Sequence, residues 1–401
     1  MNIAILNMGN VGTSVYNQII SNKEKIESEI EDTINIKYGL VAMINPSLEK
    51  KFEHTELTTD VVKILEDKEL DCIIDAFSNV KFSYPAIKKA ISNGVHIVSA
   101  NKNLIALYGV ELMKLAKQNN VDFYFEASIA GGVPIVRSLT KGLASDYIYD
   151  ITGIFNGTTN YILTKMSNDG MDFASACKEA KELEMTETHI SDDISGIDTA
   201  RKTAILAMLC YHVNVTLRDV TYKGIENVSI NDIEIAQELG YNIKLIGHSH
   251  YEDGKLLLNV EPCFVSKLHP LDDVKYDMNS VYVKGRSIGN LMLYGASVGA
   301  NNNAVAILAD LLEVASNMKY HCNGRDIVLP RNKKELTYGD ENNKYIFIGD
   351  DKMIQQVLNT IPVIKYTKDY VICSLAESYA KKLASENNWK MYPTIEVDED
   401  N

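Results

Sequence analysis

The sequence predicts an α/β protein: a doubly wound parallel sheet over its first third, an α+β segment after it, and a small α+β unit at its C-terminal end. Three observations carry this. Apolar runs of strand length alternate with helix-like runs from residue 2 to residue 126. A glycine-bearing turn, Asn7-Met8-Gly9-Asn10-Val11-Gly12, separates the first strand from the first helix. The alternation then stops at Ile-Ala-Gly-Gly-Val-Pro-Ile-Val-Arg, residues 129–137, and a second run of strands and helices begins at Lys344.

In order, residues 2–6 read as a strand and Thr13 to Ile20 as a helix. Ile34 to Ile44 reads as the second strand, Val61 to Leu65 as helical, and Asp71 to Phe77 as a buried strand. Tyr84 to Asn93 is a helix stopped by Gly94, and Val95 to Ser99 is the next strand. Leu112 to Asn119 reads as a helix and Val121 to Glu126 as a strand. Ile148 to Ile154 is strand-like, and Tyr161 to Met166 is helical behind Phe155-Asn156-Gly157-Thr158-Thr159-Asn160. That loop carries hydroxyls and N–H groups suited to a carboxylate, although a plain helix cap is the better reading of these residues alone. Near the end, Lys344 to Ile348, Met353 to Leu358, Val363 to Cys373, Ala376 to Asn387 and Met391 to Val397 suggest a β-α-β-α-β unit.

Composition narrows the function. The chain has 401 residues, enough for two or three domains, with 46% hydrophobic and 23% charged residues. Forty basic against 54 acidic side chains give a net charge of -14, which argues against nucleic acid and anionic membrane surfaces and for small-molecule chemistry. Six cysteines are scattered and never spaced as C-x-x-C, so neither a zinc site nor a disulfide framework is expected. Met1 leads straight into a strand-like run, no signal peptide is visible, and the cytoplasm is the expected compartment. No apolar run reaches membrane-spanning length.

The glycine turn fits a Rossmann-type dinucleotide fingerprint, G-x-G-x-x-G, with Asn7 in the first glycine position and Gly9 and Gly12 in the others. Asn is the substitute best able to adopt positive φ. In such sheets ligands bind at the carboxyl ends of strands, which draws attention to Ser99-Ala100-Asn101-Lys102 and Glu126-Ala127-Ser128. The tip of the second strand, Met43-Ile44-Asn45-Pro46, has no acid for a free ribose, and Lys50 and Lys51 follow. That leans towards NADP over NAD.

Glu187 to Lys202 is the most charged stretch with a chemical pattern, E-T-H-I-S-D-D-I-S-G-I-D-T-A-R-K. Asp198 and Lys202 are four apart and share one face of a helix, immediately before the apolar run Thr203 to Leu209. A surface ion pair is the bland reading of any such pair. A lysine entering a buried run, however, needs a partner or a task.

Taken together, these motifs resemble homoserine dehydrogenase. The resemblance rests on Ala100-Asn101-Lys102-Asn103-Leu104, on Glu126 to Pro134, on Gly153 to Leu163, on Asp192 to Lys202, on Glu238 to Leu245 and on Leu293-Tyr294-Gly295, and it covers roughly residues 1–318. It implies NAD(P)-dependent interconversion of L-homoserine and L-aspartate 4-semialdehyde. It also implies Lys202 and Lys102 as catalytic lysines, with Asp198 at the substrate oxygen. Glu187, Asp192, Gly157 and Thr158 become substrate contacts, Glu187 at the ammonium. Gly9, Asn10, Val11, Gly12, Ser99, Lys102 and Gly299 become cofactor contacts, and Glu126, Ile129, Gly131 and Val133 a sodium site built largely from carbonyls. The implied organisation is a nucleotide domain over 1–128 and 304–320, a substrate and dimerisation domain over 129–303, and a C-terminal unit over 335–401 resembling a degenerate ACT domain. A homodimer or a dimer of dimers is expected.

Departures from the family pattern are local. Its Asp-Pro after the loop glutamate is here His189-Ile190, and Asn303 stands for a threonine after Gly299. The altered glycine turn at Asn7 and the altered substrate loop favour, as a second reading, a non-catalytic dinucleotide sensor; retention of Lys102, Lys202 and Asp198, which a sensor does not need, opposes it. A third reading is a dehydrogenase for a related amino-acid semialdehyde.

Overall fold

The computed structural model describes residues 1–185, 190–296, 299–331, 337–338, 340, 342–349, 354, 358 and 361–397. The chain forms two compact units. One comprises Met1–Ser145, Ala204–Leu217 and Gly295–Lys333; the other comprises Asp146–Thr203, Arg218–Tyr294 and Lys334–Asn401.

The first unit is built on six parallel strands: β1 (Asn2–Leu6), β2 (Asn35–Leu40), β3 (Glu56–Thr58), β4 (Cys72–Asp75), β5 (His96–Ser99) and β6 (Phe123–Tyr124). Their spatial order is β3-β2-β1-β4-β5-β6, so the order reverses between β1 and β4. Ligands bind above such a reversal. Ile3, Ala4, Ile5 and Leu6 are fully buried, which a strand covered on both faces requires. Each such Ile or Leu contributes about 1.5–3 kcal/mol of transfer free energy. The covering helices are α1 (Asn10–Ser21), α2 (Lys23–Ile30), α3 (Pro46–Lys51), α4 (Val61–Glu66), α5 (Val80–Ser92) and α6 (Lys102–Gln118). A later helix, α13 (Ala300–Lys319), returns to this unit: Ile307, Leu311 and Val314 join Val15, Tyr16 and Ile19 in one apolar cluster.

Three expectations shift here. The second strand ends at Leu40 rather than Ile44, and Asn45 instead caps α3, its side chain accepting from Leu48 N–H ahead of Pro46. The helix expected over Leu112 to Asn119 starts ten residues earlier, because Asn101 caps it at Leu104 N–H. The strand expected to reach Glu126 stops at Tyr124, and Glu126–Ser128 is a 3₁₀ turn. Long-range bonds decide that: Glu126 N–H donates to Asp310, and its carboxylate accepts from Val136 and Arg137 N–H at 2.8 Å.

The second unit is organised on a mixed sheet. The short α7 (Ile135–Arg137) still belongs to the first unit; in chain order the second carries β7 (Ile148–Ile154), α8 (Gly157–Asp169), α9 (Phe173–Glu182), α10 (Ile190–Ile194) and the start of α11 (Ile197–Tyr211). Then come β8 (Thr221–Tyr222), α12 (Ile230–Glu238), β9 (Tyr241–Glu252), β10 (Lys255–Ser266), β11 (Met278–Gly285) and β12 (Gly289–Ala296). The C-terminal part adds β13 (Thr337–Tyr338), β14 (Asn342–Ile348), β15 (Val363–Tyr366), β16 (Tyr370–Ala376), a helix α14 (Glu377–Asn387) and β17 (Lys390–Ile395). Among the described residues the sheet runs β12-β11-β7-β9-β10-β17-β14-β16-β15.

The C-terminal strands therefore extend the central sheet. β17 pairs with β10 in parallel, Phe264 with Thr394 and Val265 with Ile395. Val363 to Cys373, expected as one strand, is a hairpin: the Thr367 hydroxyl accepts from Asp369 and Tyr370 N–H and turns the chain between β15 and β16. Most of the helix expected over Met353 to Leu358 lies outside the described residues. Among the described residues no helix is long and apolar enough to cross a membrane.

Candidate active site

The second unit brings Asp198 and Lys202 together as their spacing predicts. Gly196, at φ 81°, turns the chain from α10 into α11. Asp198 lies in the first turn of α11 and Lys202 one turn later, with Nζ 3.0 Å from Asp198 Oδ2. Only 2% of Asp198 and 8% of Lys202 are exposed. At such burial, removal of either partner leaves an uncompensated charge, so this is no ordinary surface pair. Lys202 Nζ also donates to the Phe155 carbonyl at 2.6 Å. An ammonium has three donors, and these two contacts use two of them.

The Phe155-Asn156-Gly157-Thr158 loop enters the same constellation. Asn156 caps α8: its Oδ1 accepts from Thr159 N–H at 2.9 Å. Its Nδ2 donates to Asp198 Oδ2 at 2.9 Å and to Asp193 Oδ1 at 2.7 Å. Gly157 opens the helix, and the Thr158 hydroxyl donates to the Met185 carbonyl at 3.0 Å. Residues 186–189 lie outside the described residues, and with them the expected ammonium contact Glu187, and His189.

Sequence reading passed over Asp193 and singled out its neighbour. Asp192 is paired with Arg201 at 2.8 Å and its side chain is half-exposed, whereas Asp193 shares the Asn156 amide with Asp198. Adjacent helical residues point about 100° apart, so only one of two neighbouring acids can face α8. The local sequence carries no signal of which.

In the first unit, Asn7 has φ 78° and its Nδ2 donates to the Ala76 carbonyl at 3.0 Å, so the substituted position does make the left-handed turn. Gly9 precedes α1 with φ −74° and provides no side-chain cap. Asn10 and Val11 open the helix. A Cβ on Gly12 would lie 2.2 Å from the Asn7 carbonyl oxygen, so only glycine fits this approach of helix to strand. This cradle suits a pyrophosphate at the head of α1.

Ser99 sits at the tip of β5. Its hydroxyl donates to Asp75 Oδ2 at 2.9 Å and accepts from Asn101 N–H at 3.1 Å. Burial pushes the Asp75 carboxyl up to about 6, against the hydroxyls of Ser83 and Ser99 that favour its charged form. Lys102 is the first residue of α6, at the mouth of the strand ends. Gly299, at φ 124°, precedes α13. Ile129 and Val133 are buried beside Gly131, which has φ 62°. Among the described residues no group of three His, Cys, Asp or Glu side chains is arranged to hold a metal ion.

Comparison with known proteins adds to the geometry. The family model "Homoserine dehydrogenase" matches residues 134–312, and "Homoserine dehydrogenase, NAD binding domain" matches residues 8–126. The homoserine dehydrogenase of Bacillus subtilis (strain 168) is 37% identical over 334 residues, 83% of this chain and 77% of that protein. The crystal structure of a homoserine dehydrogenase from Thiobacillus denitrificans superposes with TM-score 0.90 at 25% identity, covering 99% of each chain. A hyperthermophilic archaeal homoserine dehydrogenase in complex with NADPH superposes with TM-score 0.67 at 26% identity, over 79% of this chain and 98% of that one.

Proposed function

The chain belongs to the homoserine dehydrogenase family, and from that premise we propose how its side chains divide the work. The reaction interconverts L-homoserine and L-aspartate 4-semialdehyde, as an NAD(P)-dependent oxidoreductase. NAD(P), when bound against the Asn7–Gly12 turn, supplies the hydride acceptor or donor. The protein must bind the substrate, move one proton and stabilise charge on the substrate oxygen.

Lys202 is the proton carrier in this reading. With Phe155 and Asp198 holding two of its N–H bonds, the third is aimed at the substrate oxygen, and it protonates the alkoxide as the aldehyde is reduced. Asp198 orients both the lysine and the oxygen. Lys102 is the second lysine at the reacting end. Gly157 and Thr158 line the substrate, with Glu187 and Asp192 on the loop that follows, and Asp193 joins them on the strength of its bond to Asn156. Gly9, Asn10, Val11, Gly12, Ser99 and Gly299 hold the dinucleotide.

The finer assignments are proposals too. NADPH is the preferred cofactor, supported by the lack of any acid between the end of β2 at Leu40 and Asn45, which caps α3. A sodium ion would be held among Glu126, Ile129, Gly131 and Val133 largely by backbone carbonyls, since the Glu126 carboxylate is committed to Val136 and Arg137 N–H. The protein is a cytoplasmic homodimer or dimer of dimers, and residues 335–401 are a structural, degenerate ACT-like unit.

One observation carries the catalytic reading: the buried Asp198–Lys202 pair beside the α8 loop. A sensor would have no use for it. The test is spectrophotometric. Purified protein should consume NADPH when given aspartate 4-semialdehyde, faster than it consumes NADH. No turnover with either cofactor would sink the reading.

A further inference from the structure

The mixed sheet carries a cavity of about 320 Å³ that none of the proposed catalytic residues lines. β10 turns Asn259, Glu261 and Cys263 into it, as the two-residue alternation of a strand requires, and Tyr345 reaches it from β14. It lies on the sheet face turned away from α8 and α11: a Cβ on Gly247 would meet Phe155 and Thr203, whereas the next residue, His248, lines the cavity. All of these residues belong to the second unit. Three of the four carboxylates on the lining are satisfied. Asp150 is held by His248 and His250 at 2.7 and 3.2 Å and by the Thr152 hydroxyl at 2.9 Å. Glu377 accepts from Asn259 at 3.0 Å and pairs with Lys381. Glu396 accepts from Tyr241 and from Lys344, each at 2.8 Å.

Glu261 is the fourth. Only 9% of it is exposed, and among the described residues its carboxyl has no hydrogen-bond or ion-pair partner. Burial pushes its pKa up, and the cations near enough to act against that are engaged elsewhere: Lys381 with Glu377, Lys223 over the Tyr392 ring at 5.6 Å, and His248 with Asp150. Tyr345 is 2% exposed, and among the described residues its hydroxyl also lacks a hydrogen-bond partner. Burial, with Glu377 and Glu261 nearby, pushes that hydroxyl up, so it stays a neutral phenol. Two buried polar groups facing one cavity without partners are costly unless something else completes them. We propose that this cavity is a binding site for a small aliphatic amine, whose primary ammonium donates to Glu261 and Tyr345. An ammonium brings three donors and a positive charge, which suit a lone carboxyl and a neutral phenol together. Ile246, which faces Glu261 in the β9–β10 ladder, also lines the cavity and offers apolar surface to the carbon chain. A metal ion fits worse, since among the described residues no three His, Cys, Asp or Glu side chains are grouped to ligate one. The site goes beyond the dehydrogenase reading and does not depend on it.

The probe is n-butylammonium chloride. Its uncharged match in size is n-butanol, and sodium chloride at equal ionic strength is the salt control. Binding to the full chain would be followed by isothermal titration calorimetry and by the shift in Tm, at a pH above 7 where most of Glu261 is ionised. Wild type should bind butylammonium saturably and gain Tm from it, and should bind neither butanol nor sodium chloride in that way. Glu261→Gln should weaken butylammonium binding about tenfold or more, and Tyr345→Phe about threefold to tenfold, the losses expected of a charged and a neutral hydrogen bond. The ligand-free Tm of each variant reports that it is folded; Glu261→Gln removes a group without partners and should fold as wild type does. No saturable binding to wild type, binding of butanol as tight as that of butylammonium, or an unchanged affinity in either variant would overturn the proposal.

Discussion

The two sheets carry their chemistry in different currencies. In the parallel sheet of the first unit the features proposed to hold the cofactor belong largely to the backbone, with Ser99 and Lys102 as the side chains among them: the left-handed Asn7, the bare helix start at Gly9, the Gly12 position that no side chain can occupy. In the second unit they are side chains: Asp193, Asp198, Lys202 and Asn156, held by one another. Burial explains the difference. A strand covered on both faces is filled with Ile, Ala and Leu and offers a ligand only its ends and turns. Helices laid against a mixed sheet have ends and faces to spare, and the mixed sheet tolerates charge, as Asp150 between His248 and His250 shows.

The largest test of this contrast removes a lysine from each unit, Lys202 from the second and Lys102 from the first. Lys202→Ala should lower kcat by about two to four orders of magnitude, and Lys102→Ala should do likewise. Near-full activity in both would mean that the chemistry lies elsewhere. A smaller test concerns buried charge in the mixed sheet. Burial pushes the Glu261 carboxyl up to about 7 from an ordinary 4.5. The folded chain then holds a proton that the unfolded chain has released, so stability is full below the ordinary carboxyl range and lost as pH rises towards 7. The loss amounts to roughly 3 kcal/mol at most. Urea titrations from pH 4.5 to 7.5 should show this slope, with a share from Asp75 and Asp310, and Glu261→Gln should make it shallower; parallel slopes would refute the assignment.

Two further changes probe the backbone half. Gly12→Ala forces a Cβ onto the Asn7 carbonyl, and strain of that kind should raise the cofactor KM about tenfold to a hundredfold while leaving homoserine recognition in place. Loss of homoserine affinity alone would break the division. Asn45→Asp is the mildest. The aspartate can cap α3 as the asparagine does, so Tm should hold, yet the NADPH-to-NADH preference should fall by about five- to tenfold. An unchanged ratio would place the 2′-phosphate contacts away from this helix.

Legibility in the sequence follows the same division. The strands of the first unit are near-continuous apolar runs, and β1, β4 and β5 lie where those runs predict. The exceptions have distant causes. β6 is cut short by bonds from residues 136, 137 and 310 to Glu126, which no window around residue 126 contains. α2 was not foreseen, because Lys-Glu-Lys-Ile-Glu-Ser-Glu-Ile buries only Ile26 and Ile30 and reads as a solvated stretch. In the candidate site the i,i+4 spacing of Asp198 and Lys202 was readable because it is local. The choice between Asp192 and Asp193 was not, because Asn156 makes it from far upstream. The hairpin β15–β16 hid behind β-forming residues on both sides of Thr367.

One strand also sets a schedule for synthesis. β10 pairs with β9 along its whole length on one edge, while its other edge is shared by three short parallel partners: β13 at Lys255 and Leu256, β8 at Asn259 and Val260, and β17 at Phe264 and Val265. Two of those partners come from far downstream. At roughly 5–20 residues per second on the ribosome, the residues between β10 and β17 take on the order of ten seconds to appear. During that interval much of one edge of a long, apolar strand is bare, which is the template that strand-to-strand aggregation needs. The nascent chain is thus most vulnerable after Lys102, Asp198 and Lys202 have been made and before its last strand arrives.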